Sequence, residues 1–392
     1  MRKLKMGMIG GGKNAFIGAV HRIAANMDGL IELHCGAFSS NPDVSLESGK
    51  ELGLSEDKCY KSYTQMIETE AKLAPEERMD FVSIVTPNHA HFAPAILALE
   101  NGFHVVLDKP ITLNLHEAKL LAQKVKETGL YLCLTHTYAG YPMVKQARSL
   151  IAENHLGKIR KIMVEYPQGW LSSDFENAGN KQAAWRTDPS KSGISGCMGD
   201  IGTHAAHLAE YISGLKITQI CADINTVVAN RRLDDDGNVL LKFDNGANGI
   251  LVASQIAAGE ENSLKIKVYG EKGGLEWHQM EPNTLIVKWP DSPAQLYRTG
   301  NGYLSPKATF NTRIPSGHPE GYLEAFGNLY RNFALTLQSK LENREPTPFM
   351  LDFPSVEEGV RGMAFIENVI ASGKSTQKWT EFSILGTKTL RS

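Results

Sequence analysis

Apolar runs and amphipathic stretches alternate through the first third of the chain. Leu4–Ile9 reads as a strand that leads straight into Gly10-Gly11-Gly12. Apolar spacing predicts a helix from near Phe16 through Ala25, then a second strand over Ile31–Phe38. Ser45–Leu52 and Thr64–Ala74 follow as helices. Phe81–Val85 (FVSIV) is short, mostly apolar and rich in β-branched residues, as a buried parallel strand is. A helix from Phe92 to about Asn101 should stop at Gly102, and Val105–Leu107 is the next strand. Asn114 is a good cap for a helix from Leu115 to about Glu127, and Tyr131–Leu134 is again a strand. Strands alternating with helices predict a parallel sheet covered on both faces.

The rhythm changes after about His136. A helix over Met143–Glu153 gives way to strands with period-two alternation. In Ile250–Ile256, Ile250, Val252, Ser254 and Ile256 face one way and Leu251, Ala253 and Gln255 the other. Ile159–Tyr166, Thr218–Val228, Val239–Phe243, Leu264–Tyr269 and Leu285–Trp289 are further strands, with hairpin signals at Asp236-Gly237 and Asn245-Gly246. Pro306–Pro319 reads as a long loop and Glu320–Leu341 as a helix despite Gly327. The fold class is therefore α/β: an N-terminal Rossmann-type domain over residues 1–137, then an α+β domain over 138–392 with a large, mostly antiparallel open sheet. A length of 392 residues agrees with two cores.

Charge and composition narrow the partners. Lys+Arg 41 against Asp+Glu 43 builds no basic field, so nucleic acid is not an expected partner. No window approaches the roughly 20 apolar residues of a membrane span. The apolar run at the start is too short for a signal peptide and suits a first strand. Five widely spaced cysteines without a C-x-x-C pair suit free thiols in a reducing compartment, and a cytoplasmic location is expected.

Chemistry concentrates in four places. Gly10-x-Gly12-x-x-Ala15 lies between a strand and a helix. The first glycine allows the tight turn, and the second lets the backbone approach a pyrophosphate. The small third residue lets the helix pack, and the helix N-terminus offers N–H groups to the phosphate. On this reading Gly12→Val abolishes dinucleotide binding in a protein that still folds. The end of the second strand carries Ser39 and Ser40 where a ribose-binding acid is usual. No Lys or Arg lies between Arg22 and Lys50, and Asp43 would repel a 2′-phosphate, so NAD is favoured and NADP remains possible. Thr86-Pro87-Asn88-His89-Ala90-His91 follows a strand end, where Asn88 and His91 can point into a ligand crevice; a capped helix start is the bland alternative. Asp108-Lys109-Pro110 puts a lysine at the end of a buried strand, where its ammonium could stabilise a developing alkoxide; a snorkelling surface lysine is the alternative. In Gly199–His207, helical spacing puts Asp200, His204 and His207 on one face. A carboxylate one turn from an imidazole suits general acid/base work. A core role for His207 and a metal site remain alternatives, and no metal is expected.

Together these clusters resemble the glucose–fructose oxidoreductase/inositol dehydrogenase family (Gfo/Idh/MocA). The resemblance rests on the glycine turn, T-P-N-x-x-H at Thr86–His91, D-K-P at Asp108–Pro110, W-R at Trp185-Arg186 and G-D-x-G-x-H at Gly199–His204. The family usually has E-K-P, so Asp108 shortens one arm. The resemblance implies Lys109, Asp200 and His204 as the catalytic set. It implies cofactor contacts along Gly10, Gly12, Lys13, Asn14, Ala15, Phe16 and Ile17, at Ser39 and Ser40, at Thr86, Pro87, Asn88 and His91, at Asp108 and Lys109, and at Trp185 and Arg186. The run Gly10–Arg22 and Gly317–Tyr322 look like a branch with levoglucosan and glucoside dehydrogenases, which adds Tyr138 and His318 near the nicotinamide or substrate. The implied activity is NAD(P)-dependent oxidation or reduction of a hydroxyl or keto carbon in a sugar, glycoside, anhydrosugar or cyclitol. An NAD-dependent glycosidase with transient oxidation and a non-catalytic NAD-binding protein are the alternatives. A homodimer or homotetramer through the open sheet is the expected assembly.

Overall fold

A computed structural model describes residues 2–13 and 15–385. The chain divides into two compact units. The first runs to Gly140 and includes Tyr322–Gly359; the second holds Tyr141–Gly321 and the chain from Val360. Two contiguous domains were expected, and the chain instead crosses back. The return helix has an apolar stripe that fills the first unit's core, a pairing that local spacing does not reveal.

In the first unit, β1 (Leu4–Gly10), β2 (Ile31–Ala37), β3 (Phe81–Val85), β4 (His104–Leu107) and β5 (Leu132–Leu134) form a parallel sheet in the order β2-β1-β3-β4-β5. Every residue of β3 is buried, which is what a strand with helices on both faces requires. The helices are α1 (Phe16–Asn26), α2 (Pro42–Glu51), α3 (Tyr63–Glu70), α4 (Phe92–Glu100) and α5 (Leu115–Thr128). Asn41 caps α2, Ser62 caps α3 and Asn114 caps α5 through side-chain oxygens that accept backbone N–H bonds.

The second unit opens with α6 (Pro142–Ala152) and β6 (Ile159–Pro167). Then come the short helices α7 (Lys181–Arg186) and α8 (Pro189–Ser192), a five-residue π-helical turn at Met198–Gly202, and α9 (Thr203–Ser213). Strands β7 (Ile217–Asn225), β8 (Asp236–Phe243), β9 (Asn248–Ser254), β10 (Lys265–Gly270), β11 (Gly274–His278), β12 (Thr284–Lys288), β13 (Gln295–Arg298) and β14 (Thr380–Glu381) complete a nine-stranded sheet in the order β13-β12-β11-β10-β6-β9-β8-β7-β14. Among its pairs only β6 with β9 is parallel. Asn245-Gly246 does make a tight turn, between β8 and β9, with Gly246 at φ +88°. Asp236-Gly237 does not; it begins β8, because Asp235 and the preceding loop already turn the chain through bonds to the Val227 and Val228 N–H groups.

The predicted alternation in β9 appears in the burial. Leu251 and Ala253 are fully buried, whereas Ile250 and Val252 are half-exposed. The same outer face carries Met163, 39% exposed, and Leu240, 42% exposed. The expected loop before residue 320 contains the helix α10 (Pro306–Phe310). Helix α11 (Tyr322–Leu341) then returns to the first unit and α12 (Val356–Lys374) follows. Phe326, Leu329, Tyr330 and Phe333 of α11 join Met6, Phe81 and Val106 in one core. The five cysteines are unpaired, with four buried and Cys221 half-buried. Among the described residues no helix is long and apolar enough to cross a membrane.

Candidate active site

In the first unit the glycine turn takes a shape that L side chains resist. Gly10 and Gly11 sit at φ +81° and +72°. A Cβ on Gly18 would overlap the Gly11 main chain, so the bare Gly18 allows α1 to press against the turn. Gly12 has a packing role as well. A Cβ there would meet Ser48 Oγ at 2.8 Å and Phe38 O at 2.9 Å, so the missing side chain seats the turn on the end of β2. Its N–H donates to Phe38 O at 3.2 Å, and the Lys13 N–H donates to Ser48 Oγ at 3.1 Å. Arg22, which the motif does not include, donates to Gly11 O at 2.7 Å and ties the turn to α1.

These features fit a bound pyrophosphate. Unlike α2, α3 and α5, helix α1 has no side-chain cap, and its first turn holds no acidic residue. Its N-terminal partial positive charge is therefore left for an anion. Phe16, at the first helical position, is 72% exposed, and Ala15 and Ile17 flank it half-buried. Asn14 lies outside the described residues. Lys13 pairs with Glu47 at 3.0 Å and Glu51 at 2.8 Å on α2. Ser39 Oγ accepts the Asn41 N–H, and Ser40 is exposed beside it.

At the next strand ends, Thr86 Oγ1 donates to Ala90 O at 2.9 Å, Pro87 is exposed and Asn88 is buried. His91 does not face a crevice. It is buried between the two strand-end loops, with Nδ1 2.8 Å from Pro110 O and Nε2 2.8 Å from Thr86 O. Burial lowers its pKa, against the opposing pull of Asp108. Asp108 Oδ1 accepts the Lys109 N–H at 2.8 Å and the Thr135 hydroxyl at 2.9 Å. The side chain of Asp108 is thereby anchored in its own strand-end loops, and Lys109 is presented from the same turn. Tyr138 is buried with its ring 6.4 Å from that of Tyr322.

The second unit carries the other set. Asp200 lies in the π-helical turn and His204 in the first turn of α9, so the helix widens at Asp200, just before His204, a frequent signature of functional sites. Asp200 Oδ2 accepts the Gln255 amide at 2.9 Å, and Arg186 Nε stands 3.6 Å away. The Arg186 guanidinium lies over the Trp185 ring at 4.3 Å and bonds Gln182. His204 is buried, and its ring is edge-on to Tyr166 at 6.3 Å. Tyr166 and Gln168 both donate to Asn262 Oδ1, at 2.6 and 2.7 Å, and Trp170 donates to Gln168 at 3.0 Å. His207 stacks on Tyr211. His318 is exposed, its Nδ1 3.2 Å from Pro315 O of its own loop.

Sequence reasoning missed Arg22, Gly18, Gln168, Trp170 and Gln255. One signal was available: Gln255 falls in the same period-two row as Leu251 and Ala253, and a polar side chain in a core row needs a partner.

The family model described as "Oxidoreductase family, NAD-binding Rossmann fold" matches residues 4–136, and the model for the GFO/IDH/MocA C-terminal domain matches residues 144–276. The chain belongs to the Gfo/Idh/MocA family. It is an NAD-binding oxidoreductase. It is 40% identical to an oxidoreductase of known structure from Sinorhizobium meliloti, with 97% of this chain and 100% of that one covered and a TM-score of 0.87. An inositol dehydrogenase homologue from Azotobacter vinelandii, solved with NADH and myo-inositol, is 33% identical over 97% of this chain and 98% of its own, with a TM-score of 0.89. The levoglucosan dehydrogenase of Pseudarthrobacter phenanthrenivorans is 25% identical over 78% of this chain and 81% of its own.

Proposed function

We propose that this Gfo/Idh/MocA protein moves a hydride between NAD and a ring carbon bearing a secondary hydroxyl, in a sugar, glycoside, anhydrosugar or cyclitol. The observation that carries this reading is the Asp200 carboxylate, held by Gln255 beside Arg186 and four residues before His204. An acceptor set of this kind suits a polyhydroxylated ring better than an apolar substrate. The myo-inositol bound to the Azotobacter relative and the name of the Pseudarthrobacter relative point to the same class.

Bound NAD supplies the hydride acceptor or donor, and the chain supplies position and electrostatics. The Lys109 ammonium holds the substrate oxygen and stabilises alkoxide charge as it develops. The His204 imidazole takes the hydroxyl proton in the oxidative direction and returns it in reduction. Asp200 accepts a neighbouring hydroxyl and fixes the ring's orientation. Lys13, engaged by Glu47 and Glu51, is withdrawn from a 2′-phosphate, which supports a preference for NAD over NADP. The half-exposed apolar residues on the outer sheet face support assembly into a dimer or tetramer through that face.

NADH formation across a panel of sugars, glucosides, anhydrosugars and inositols tests the reading. Glycoside cleavage with no net NADH would replace it with a glycosidase that uses NAD transiently.

A further inference from the structure

Behind Asp108 lies a buried polar chain drawn from three distant parts of the sequence. His21, on α1, is fully buried. Its Nδ1 is 2.7 Å from the Tyr330 hydroxyl of α11, and that hydroxyl is 2.7 Å from Ser83 Oγ of β3. The Phe326 ring closes one side of the imidazole at 4.6 Å. Among the described residues His21 Nε2 has no hydrogen-bond partner, and it stands 4.0 Å from Asp108 Oδ2. Buried imidazole nitrogens are seldom left in this state, because a buried polar group keeps its desolvation cost when its bond is unmade.

The proton positions follow from counting. Burial lowers the pKa of His21 to about 4, against the opposing charge of Asp108, so the ring is neutral and carries one N–H. With that proton on Nδ1, a bare Nε2 lone pair would face a carboxylate in a dry interior. With it on Nε2, Ser83 donates to Tyr330, Tyr330 donates to Nδ1, and the Nε2–H dipole points at Asp108. The second arrangement satisfies Ser83, Tyr330 and Nδ1 and turns the Nε2–H, rather than a lone pair, toward the carboxylate. The 4.0 Å separation is beyond hydrogen-bond length, so the contact is electrostatic.

We propose that His21 is a positioning residue: its Nε2–H tautomer, fixed by Tyr330, orients the Asp108 carboxylate, which in turn holds the Lys109 main chain at the reacting centre. The proposal rests on Lys109 carrying chemistry, as proposed above. It links the helix that begins at the glycine turn to the strand end that presents the lysine, through side chains alone. Asp108 has two donors on Oδ1. The His21 dipole supplies the second oxygen with a fixed direction.

Selective ¹⁵N-histidine NMR on the cofactor-free protein, with the His21 signal assigned by its loss in His21→Phe, reads the tautomer directly. The expected signal is a neutral ring protonated at Nε2. Kinetics supply the second readout. His21→Phe should lower kcat about ten- to hundredfold with KM for NAD and substrate changed less than about twofold, as misplacement of a catalytic group does. His21→Gln, whose amide can accept from Tyr330 and donate to Asp108, should recover most of that loss. Tyr330→Phe should lower kcat by less, and the double variant His21→Phe/Tyr330→Phe should be no slower than His21→Phe alone. An imidazolium or Nδ1–H signal overturns the proposal, as does wild-type kcat in folded His21→Phe or a Gln variant as slow as the Phe variant. If His21→Phe does not fold, the wild-type tautomer and Tyr330→Phe decide. Undiminished kcat in Lys109→Ala would instead remove the reading of Lys109, while the NMR signal still reports how His21 is held.

Discussion

On the proposed roles, the first unit meets its ligand with main chain, and the second presents side chains. At the glycine turn the features that matter are missing atoms: no Cβ on Gly18, positive φ at Gly10 and Gly11, no cap on α1. Around Asp200 the features that matter are present atoms: the Gln255 amide, the Arg186 guanidinium on Trp185, and the pair of bonds to Asn262. A site made of backbone fails when something is added. A site made of side chains fails when something is removed. The substrates named for the family's members differ, and side chains can change without moving a strand.

The contrast makes graded forecasts. On the proposed roles, Lys109→Ala and His204→Ala should each lower kcat by roughly 10²–10⁴-fold while calorimetric NAD affinity stays within a few-fold. Near-wild-type kcat in either variant removes that residue from the reacting set. Gly18→Val should weaken NAD binding by about a hundredfold or more, because the side chain must force α1 off the Gly11 main chain. A folded Gly18→Val with normal NAD affinity would break the claim that this half is built on absent atoms. Gln255→Leu removes the donor on Asp200 Oδ2 and should cost about tenfold in kcat/KM, some 1.4 kcal/mol, with NAD binding untouched.

Two milder tests concern the scaffold. Glu70 is buried at the end of α3; burial alone would raise its pKa. Donors override that effect: Lys58 Nζ, Tyr60 OH and Met79 N–H at 2.8 Å, with His34 at 3.6 Å, hold the carboxyl at about 2. Its folded pKa is depressed, so its stabilising effect is complete above the ordinary carboxylate range and is lost as pH falls through about 2. The Tm gap between wild type and Glu70→Gln should therefore be widest near neutrality and close from about pH 4.5 downward. A gap independent of pH would contradict the assignment. On the outer sheet face, Leu240→Asp should shift light-scattering mass toward the monomer with little change in Tm, and an unchanged mass would argue against assembly through that face.

Much of the fold was legible because burial leaves a period in the sequence. FVSIV announced a strand covered on both faces, and Leu251, Ala253 and Gln255 marked the inner row of β9. Asn114 announced its helix through capping chemistry. What was not legible depended on contacts remote in sequence. Gly12 and Gly18 are equally small, and only the docked helix shows that Gly18 permits the close approach. His91 had the right spacing for a ligand contact, yet it is buried with a main-chain carbonyl against each ring nitrogen. Tyr330 reads as one more aromatic on an amphipathic helix, and its hydroxyl gains meaning only beside His21. The π-helical turn at Met198–Gly202 escaped because helical spacing assumes a uniform pitch.

The return of α11 also sets a timetable for synthesis. The five parallel strands are complete by Leu134, but Phe326, Tyr330 and Phe333, which close their core, lie beyond Gly140 by about 190 residues. At ribosomal speeds of about 5–20 residues per second, the nascent NAD-binding unit waits roughly 10–40 s for its last helix. During that interval the faces of Met6 and Phe81 lack their cover, so a nascent chain is an obvious client for a chaperone. A gene fragment ending at Gly140 would encode a permanently unfinished domain, and recombination that trades cofactor halves between relatives must exchange two separate stretches of chain.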